Sequence, residues 1–212
     1  MKPISILKAA AFAAALIPAA ALAYRFYRFF YAQEFTALPA NPGDYITDQT
    51  GTWALALLVI TLTVTPLRRL TKWNELVKLR RMLGLFSFFY ATLHMLTWVV
   101  FVNFFDVTAM IADVAKRPYI TVGMATFLIL LSLAVTSNRF AQRRLGRRWQ
   151  KLHRLVYAAA IGGVIHFWWQ VKADITLPRR WAVAVAILLG FRVWWMWRSR
   201  TLAARPKPSL KT

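Results

Sequence analysis

The chain has 212 residues, 59% of them hydrophobic, a formal charge of +21 and no cysteine. So apolar a composition excludes an ordinary soluble domain, and the missing cysteine excludes disulfides, thiolate nucleophiles, iron–sulfur clusters and zinc ribbons. Nucleic-acid binding is excluded by the placement of the charge, since the basic residues form short clusters between apolar runs instead of one continuous face.

Apolar runs near 6–23, 53–67, 82–102, 121–136, 152–170 and 181–197 predict an all-α integral membrane protein, a bundle of six transmembrane helices in a single domain. The second and fourth runs are on the short side. Pro18 lies inside the first run and predicts a kink there. That run opens on a basic stretch, Met1–Lys8, and Ala21-Leu22-Ala23 resembles a signal-peptidase site. The expectation is a retained anchor helix, and the rest of the topology is the same either way. The outer connections are expected over 24–52, 103–120 and 171–180, with turn chemistry at Pro39 and Asn41-Pro42-Gly43. Residues 198–212 read as a disordered tail. No internal repeat and no glycine-rich phosphate loop is apparent.

Charge then orients the bundle. One set of connections carries 19 of the 28 Lys and Arg residues and a single acid, Glu75. The opposite set carries seven basic residues and six acids. By the positive-inside rule both termini of this multi-pass membrane protein are cytoplasmic.

All three histidines, His94, His153 and His166, fall in predicted spans. A metal-competent imidazole is costly in lipid, so each is a functional candidate. Two neutral imidazoles from facing helices suit a six-coordinate haem iron that transfers electrons. His166 lies six residues before Lys172 and His94 nine before Asn103, roughly 9 and 13 Å from the outer edge. The depth-matched pair is therefore His94 with His166. His153 lies near the cytoplasmic edge, roughly 20 Å along the axis from His166 and about 140° away around a straight helix. A rotation would be needed to aim both at one partner, and Gly162-Gly163 offers a place for distortion or close approach. His153 could serve a second haem, a flavin or a quinone, or simply hydrogen-bond a backbone carbonyl.

Arg154 could pair with a haem propionate or flavin phosphate, and Arg80 and Arg81 have the same option beside their role in a solvated basic collar. Arg192 is expected to snorkel to the interface. Most tryptophans fit interfacial belts. Trp98 and Tyr90, near His94, could pack on a macrocycle, with core packing as the default.

LGRRWQKLHRLVY (145–157), H-F-W (166–168), RRMLGLFSFFYATLH (80–94) and KRPYITVG (116–123) together resemble the MsrQ family. This is the haem-binding membrane subunit family of the MsrPQ methionine sulfoxide reductase system, within the ferric-reductase-like transmembrane group that includes the NADPH oxidases. The resemblance implies a b-type cytochrome that also carries FMN. It further implies electrons taken from the quinone pool or a cytoplasmic flavin reductase, and passed to MsrP, a periplasmic molybdopterin enzyme that repairs oxidised methionines. The family's haem histidines carry over onto His94, His153 and His166. The oxidases have two histidines on each of two helices; this chain has one on the third helix, which favours one haem plus a flavin over two bis-histidine haems. Rival expectations are a ferric reductase or other membrane cytochrome b, and a cofactor-free transporter or assembly factor.

Overall fold

A computed structural model describes residues 3–203, and every regular element among them is helical. The helices are α1 (Pro3–Phe30), α2 (Pro42–Thr71), α3 (Arg80–Thr97), α4 (Val107–Lys116), α5 (Pro118–Val135), α6 (Arg139–Leu145), α7 (Arg147–His153), α8 (Val156–Gln170) and α9 (Thr176–Ala203). A 3-10 segment, Asn74–Leu79, leads into α3, and a π turn, Trp98–Val102, ends it.

Five helices among the described residues are long and apolar enough to cross a membrane: α1, α2, α3 with its flanking segments, α5 and α9. The fifth predicted run, 152–170, is divided. Its apolar part is α8, whose 15 residues rise about 22 Å, short of a hydrocarbon core about 30 Å thick. The rest, through His153, belongs to α7 across a turn at Arg154 and Leu155. That turn supplies the rotation needed between His153 and His166. Gly162-Gly163 does not, because α8 runs through it unbroken; a Cβ on Gly162 would instead collide with Thr126 Oγ1, so this glycine serves close approach to α5.

The connection expected over 24–52 is largely helical. The Asn41-Pro42-Gly43 turn is a helix start: Asn41 Oδ1 accepts from the Asp44 N–H at 3.3 Å and Pro42 takes the first helical position. The expected tail from Arg198 remains helical to Ala203; its remaining residues, like Met1 and Lys2 of the predicted N-terminal basic stretch, lie outside the described residues. Between α6 and α7, Gly146 takes φ +50° and ψ −123°, a backbone region that only glycine adopts cheaply.

α2 is the hub. It supplies Ala54, Leu57 and Val64 to one core cluster with Ala15 of α1 and Leu83, Phe86 and Tyr90 of α3. It supplies Leu55, Leu58 and Leu62 to a second with Leu130 of α5, Ala159 and Ala160 of α8 and Val185 of α9. Both helix-interior prolines are repaired by a neighbour's side chain, as backbone groups in lipid require. At Pro18 the Tyr90 hydroxyl accepts the Ala19 N–H at 2.9 Å and donates to the Ala15 carbonyl at 2.8 Å, joining two groups that an unbroken helix would bond directly. At Pro66 the ring removes the donor that would reach the Leu62 carbonyl. Arg192 of α9 donates to that carbonyl at 3.1 Å, and to Tyr157 Oη at 2.5 Å. Arg192 therefore turns into the bundle, not out to the interface, because an orphaned carbonyl and a phenol oxygen wait there.

Candidate functional site

His94 on α3 and His166 on α8 meet across the bundle, their ring centres 5.9 Å apart and their planes at 80°. Each Nδ1 lies against a backbone carbonyl: His94 on Thr47 O at 2.9 Å and His166 on Tyr119 O at 2.7 Å. A carbonyl can only accept, so each Nδ1 carries the proton and each neutral ring presents Nε2 as its lone-pair nitrogen. This is the tautomer and the outer-shell bond that metal-ligating histidines use.

The two cradles repeat. Both hydrogen bonds join residues 47 positions apart. One turn beyond each accepting carbonyl stands a glycine, Gly51 on α2 and Gly123 on α5, over which the imidazole lies. A Cβ would sit 2.9 Å from His94 Nδ1 at the first and 2.7 Å from His166 Nδ1 at the second. The sequence strings hide this repetition, since little beyond the glycine and the histidine is shared between the helix pairs.

Around the histidine pair is a cavity of about 430 Å³, mostly apolar, lined by Leu55, Ala91, Phe127, Gly163 and Phe167 among others. Its mouth carries Asp44, Asp48, Arg117 and Gln170. Trp98 also lines it, and its Nε1–H is buried without an acceptor among the described residues. Arg117 donates a long hydrogen bond to the Tyr119 hydroxyl and is held by Asp113 at 3.3 Å. The Tyr119 bond and the Asp113 pairing together raise its already high pKa.

A second cavity, about 420 Å³, lies toward the basic end, lined by Arg80, Arg81, Gly84, Trp149, His153, Arg154 and Tyr157 among others. The predicted site residues thus divide: His94 and His166 share one cavity, while His153, Arg80, Arg81 and Arg154 share the other. His153 stacks on Trp149 at 4.0 Å, and its Nε2 is 3.1 Å from Thr136 Oγ1. The Thr136 hydroxyl already donates to Ser132 O at 2.7 Å, so the proton between them belongs to His153 Nε2. The Arg80 Nε is buried with no partner among the described residues. Leu58 and Leu130 line both cavities and form the wall between them.

Gly51, Gly123, Thr47 and Tyr119 were not singled out for the site from the sequence. Gly123 carried a usable signal, standing alone in the fourth apolar run, where a glycine usually has a packing or functional reason; Gly51 did not, since it lies in the polar stretch Asp48-Gln49-Thr50-Gly51-Thr52 before the second run.

Residues 50–164 match the ferric reductase like transmembrane component family. The chain is 52% identical over 162 residues to the protein-methionine-sulfoxide reductase heme-binding subunit MsrQ of Ralstonia nicotianae, covering 75% of each chain. It is 48% identical to the MsrQ of Herminiimonas arsenicoxydans, over 93% of this chain and 89% of that one. To the MsrQ of Bordetella pertussis it is 45% identical, over 95% and 96%.

Proposed function

The chain belongs to the MsrQ family, within the ferric reductase like transmembrane group, and from that membership we propose that it is the haem-carrying membrane subunit of a methionine sulfoxide reductase. It is a b-type cytochrome of the inner membrane, with six spans and both termini cytoplasmic. Electrons reach it from the quinone pool or a cytoplasmic flavin reductase and leave to MsrP, a periplasmic molybdopterin enzyme that repairs oxidised methionines.

The observation that carries this reading is the opposed histidine pair, with both Nδ1 protons committed to carbonyls. Two ring nitrogens each about 2 Å from a shared metal put ring centres roughly 6 Å apart, and the observed 5.9 Å suits that. The bare glycine surfaces behind both rings fit the same group. Haem, when bound, supplies the one-electron couple. The protein's part is to hold His94 and His166 in one tautomer and to exclude water with Leu55, Phe127 and Phe167. His153, Arg80, Arg81 and Arg154 line the inner cavity, where electrons enter; their positive charge suits an anionic first acceptor such as the phosphate of FMN, or a quinone. The electron leaves near Lys116–Tyr119, where the partner docks.

Purified full-length protein tests this by its visible spectrum. The wild type is expected to show a Soret band and split reduced-state bands, and His94→Ala and His166→Ala to lose most of both. A colourless wild type made with porphyrin in excess would end the redox reading, and full Soret bands in both variants would end the pairing.

A further inference from the structure

We infer that α4 and the Phe104-Phe105 turn before it form an interfacial anchor, lying along the bilayer at the boundary between acyl chains and headgroups. The lengths of the neighbouring elements set this height. α5 has 18 residues and rises about 27 Å, no more than the thickness of a hydrocarbon core of about 30 Å. Crossing the membrane, as its length and composition allow, it has no turn to spare, so its first residue, Pro118, stands at the edge of the hydrocarbon. Arg117 alone separates Pro118 from the end of α4 at Lys116, and Asn103–Asp106 alone separate the start of α4 from the π turn that closes α3. A helix of ten residues, about 15 Å long and tied this closely to a span at each end, has its place along the membrane surface.

The surface of α4 is divided to match. Val107 and Ile111 lie roughly 40° apart around the helix, and Lys116 roughly 140° beyond Ile111; all three are exposed. Met110, Asp113 and Val114, on the remaining side, are partly covered. There Asp113 meets Arg117 at 3.3 Å, and the Val114 carbonyl accepts from the Thr121 hydroxyl of α5 at 2.5 Å. One side thus faces the bundle, one is apolar and one is cationic, as suits a helix between protein, lipid and water.

Phe104 and Phe105 carry the sharper signal. Both have positive φ, 47° and 63°, a left-handed conformation that suits Gly or Asn and strains a bulky side chain. A turn that only redirected the chain would use those residues. Two aromatics stand there instead, and with Val107 and Ile111 each is at least 65% exposed. They continue the exposed apolar surface of the span ahead of them, at Leu96 and Val102. Insertion of the rings among the acyl chains gains apolar burial that offsets the strain. The anchor also bears on the histidine cavity: through Asp113 it holds Arg117, so the mouth that Arg117 lines opens at headgroup level.

The chain has no cysteine, so nitroxide labels can be placed singly on the full-length protein in vesicles of phosphatidylcholine and phosphatidylglycerol. The positions are Ile111→Cys, Lys116→Cys and, as the hydrocarbon reference, Leu128→Cys at an exposed position within α5; Val107→Cys stands in should Ile111→Cys fail to assemble. Power saturation compares collisions with oxygen, which concentrates in lipid, and with a water-soluble nickel chelate. The Ile111 label is expected to favour oxygen, as the Leu128 label does, and the Lys116 label to favour the chelate. Phe104→Asn with Phe105→Asn suits the left-handed backbone better but removes the rings; in that background the Ile111 label is expected to shift toward the chelate. An Ile111 label as open to the chelate as the Lys116 label would overturn the inference. So would one shielded from both agents, alone or on adding a soluble partner, since protein would then cover the stripe. An Ile111 label that stays put in the double variant would overturn the role of the two rings.

Discussion

Gly123→Ala isolates the cradle from the ligand it supports. The new Cβ would lie 2.7 Å from His166 Nδ1 and 2.8 Å from Cε1, whereas unstrained contacts begin near 3.5 Å. Relief requires the imidazole to move by roughly 1 Å, taking Nδ1 off the Tyr119 carbonyl that it now meets at 2.7 Å, close to or past the reach of a hydrogen bond. Loss of such an outer-shell bond lowers metal affinity about 10- to 100-fold, or ~1.4 to 2.8 kcal/mol. Gly51→Ala is the milder twin, at 2.9 and 3.0 Å from His94. Gly190→Ala is the control, for its Cβ would meet nothing within 4 Å; helix propensity alone then makes it neutral or stabilising. Haem titration into the apo-protein should rank affinity as Gly190→Ala equal to wild type, then Gly51→Ala, then Gly123→Ala. Gly123→Ala binding haem within twofold of wild type would refute the view that the glycine exists to seat the ring.

Tyr90→Phe should cost about 1 to 3 kcal/mol in detergent unfolding, because it leaves the Ala19 N–H and Ala15 carbonyl without their bridge; an unchanged midpoint would refute the bridge. Arg192→Met should cost more in the wild type than in Pro66→Ala, where the backbone N–H regained at that position takes the Leu62 carbonyl, with a coupling of about 0.5 to 1 kcal/mol in a double-mutant cycle; zero coupling would mean that Arg192 does not repair the proline. Gly162→Ala should destabilise the α5–α8 contact through Thr126 Oγ1, and Thr126→Ala should recover part of the loss in the same unfolding assay.

Six apolar runs, their approximate positions and the pairing of His94 with His166 in depth were all legible, because hydropathy and helical rise are local quantities. The hub was not. The histidine-bearing stretch after Gly146 draws attention by its chemistry, yet α2 holds both core clusters, and nothing in its composition separates a central span from a peripheral one. The divided fifth run was also hidden. The residues at its bend, Arg154 and Leu155, break no helix by propensity, and tertiary packing sets the turn there. Arg192 misleads for a related reason: an arginine near a span end usually snorkels, and only the Pro66 gap one helix away turns it inward.

The two cavities differ most in charge, and that difference bears on the direction of electron flow. Arg80, Arg81 and Arg154 line the inner one with no carboxylate among its described lining residues, and Arg192 stands beside it on Tyr157. Fixed cations stabilise an added electron, so the inner cavity by itself would hold the electron back from the outer one. One effect opposes that hold. In the proposed orientation, with the basic ends inside, the membrane potential favours outward movement of negative charge by about 2.3 kcal/mol per 100 mV for a full crossing, of which this step takes a share. The wall to be crossed is one layer of side chain, Leu58 and Leu130, so distance is a weak barrier and the balance of charge at the two ends decides which way the electron rests.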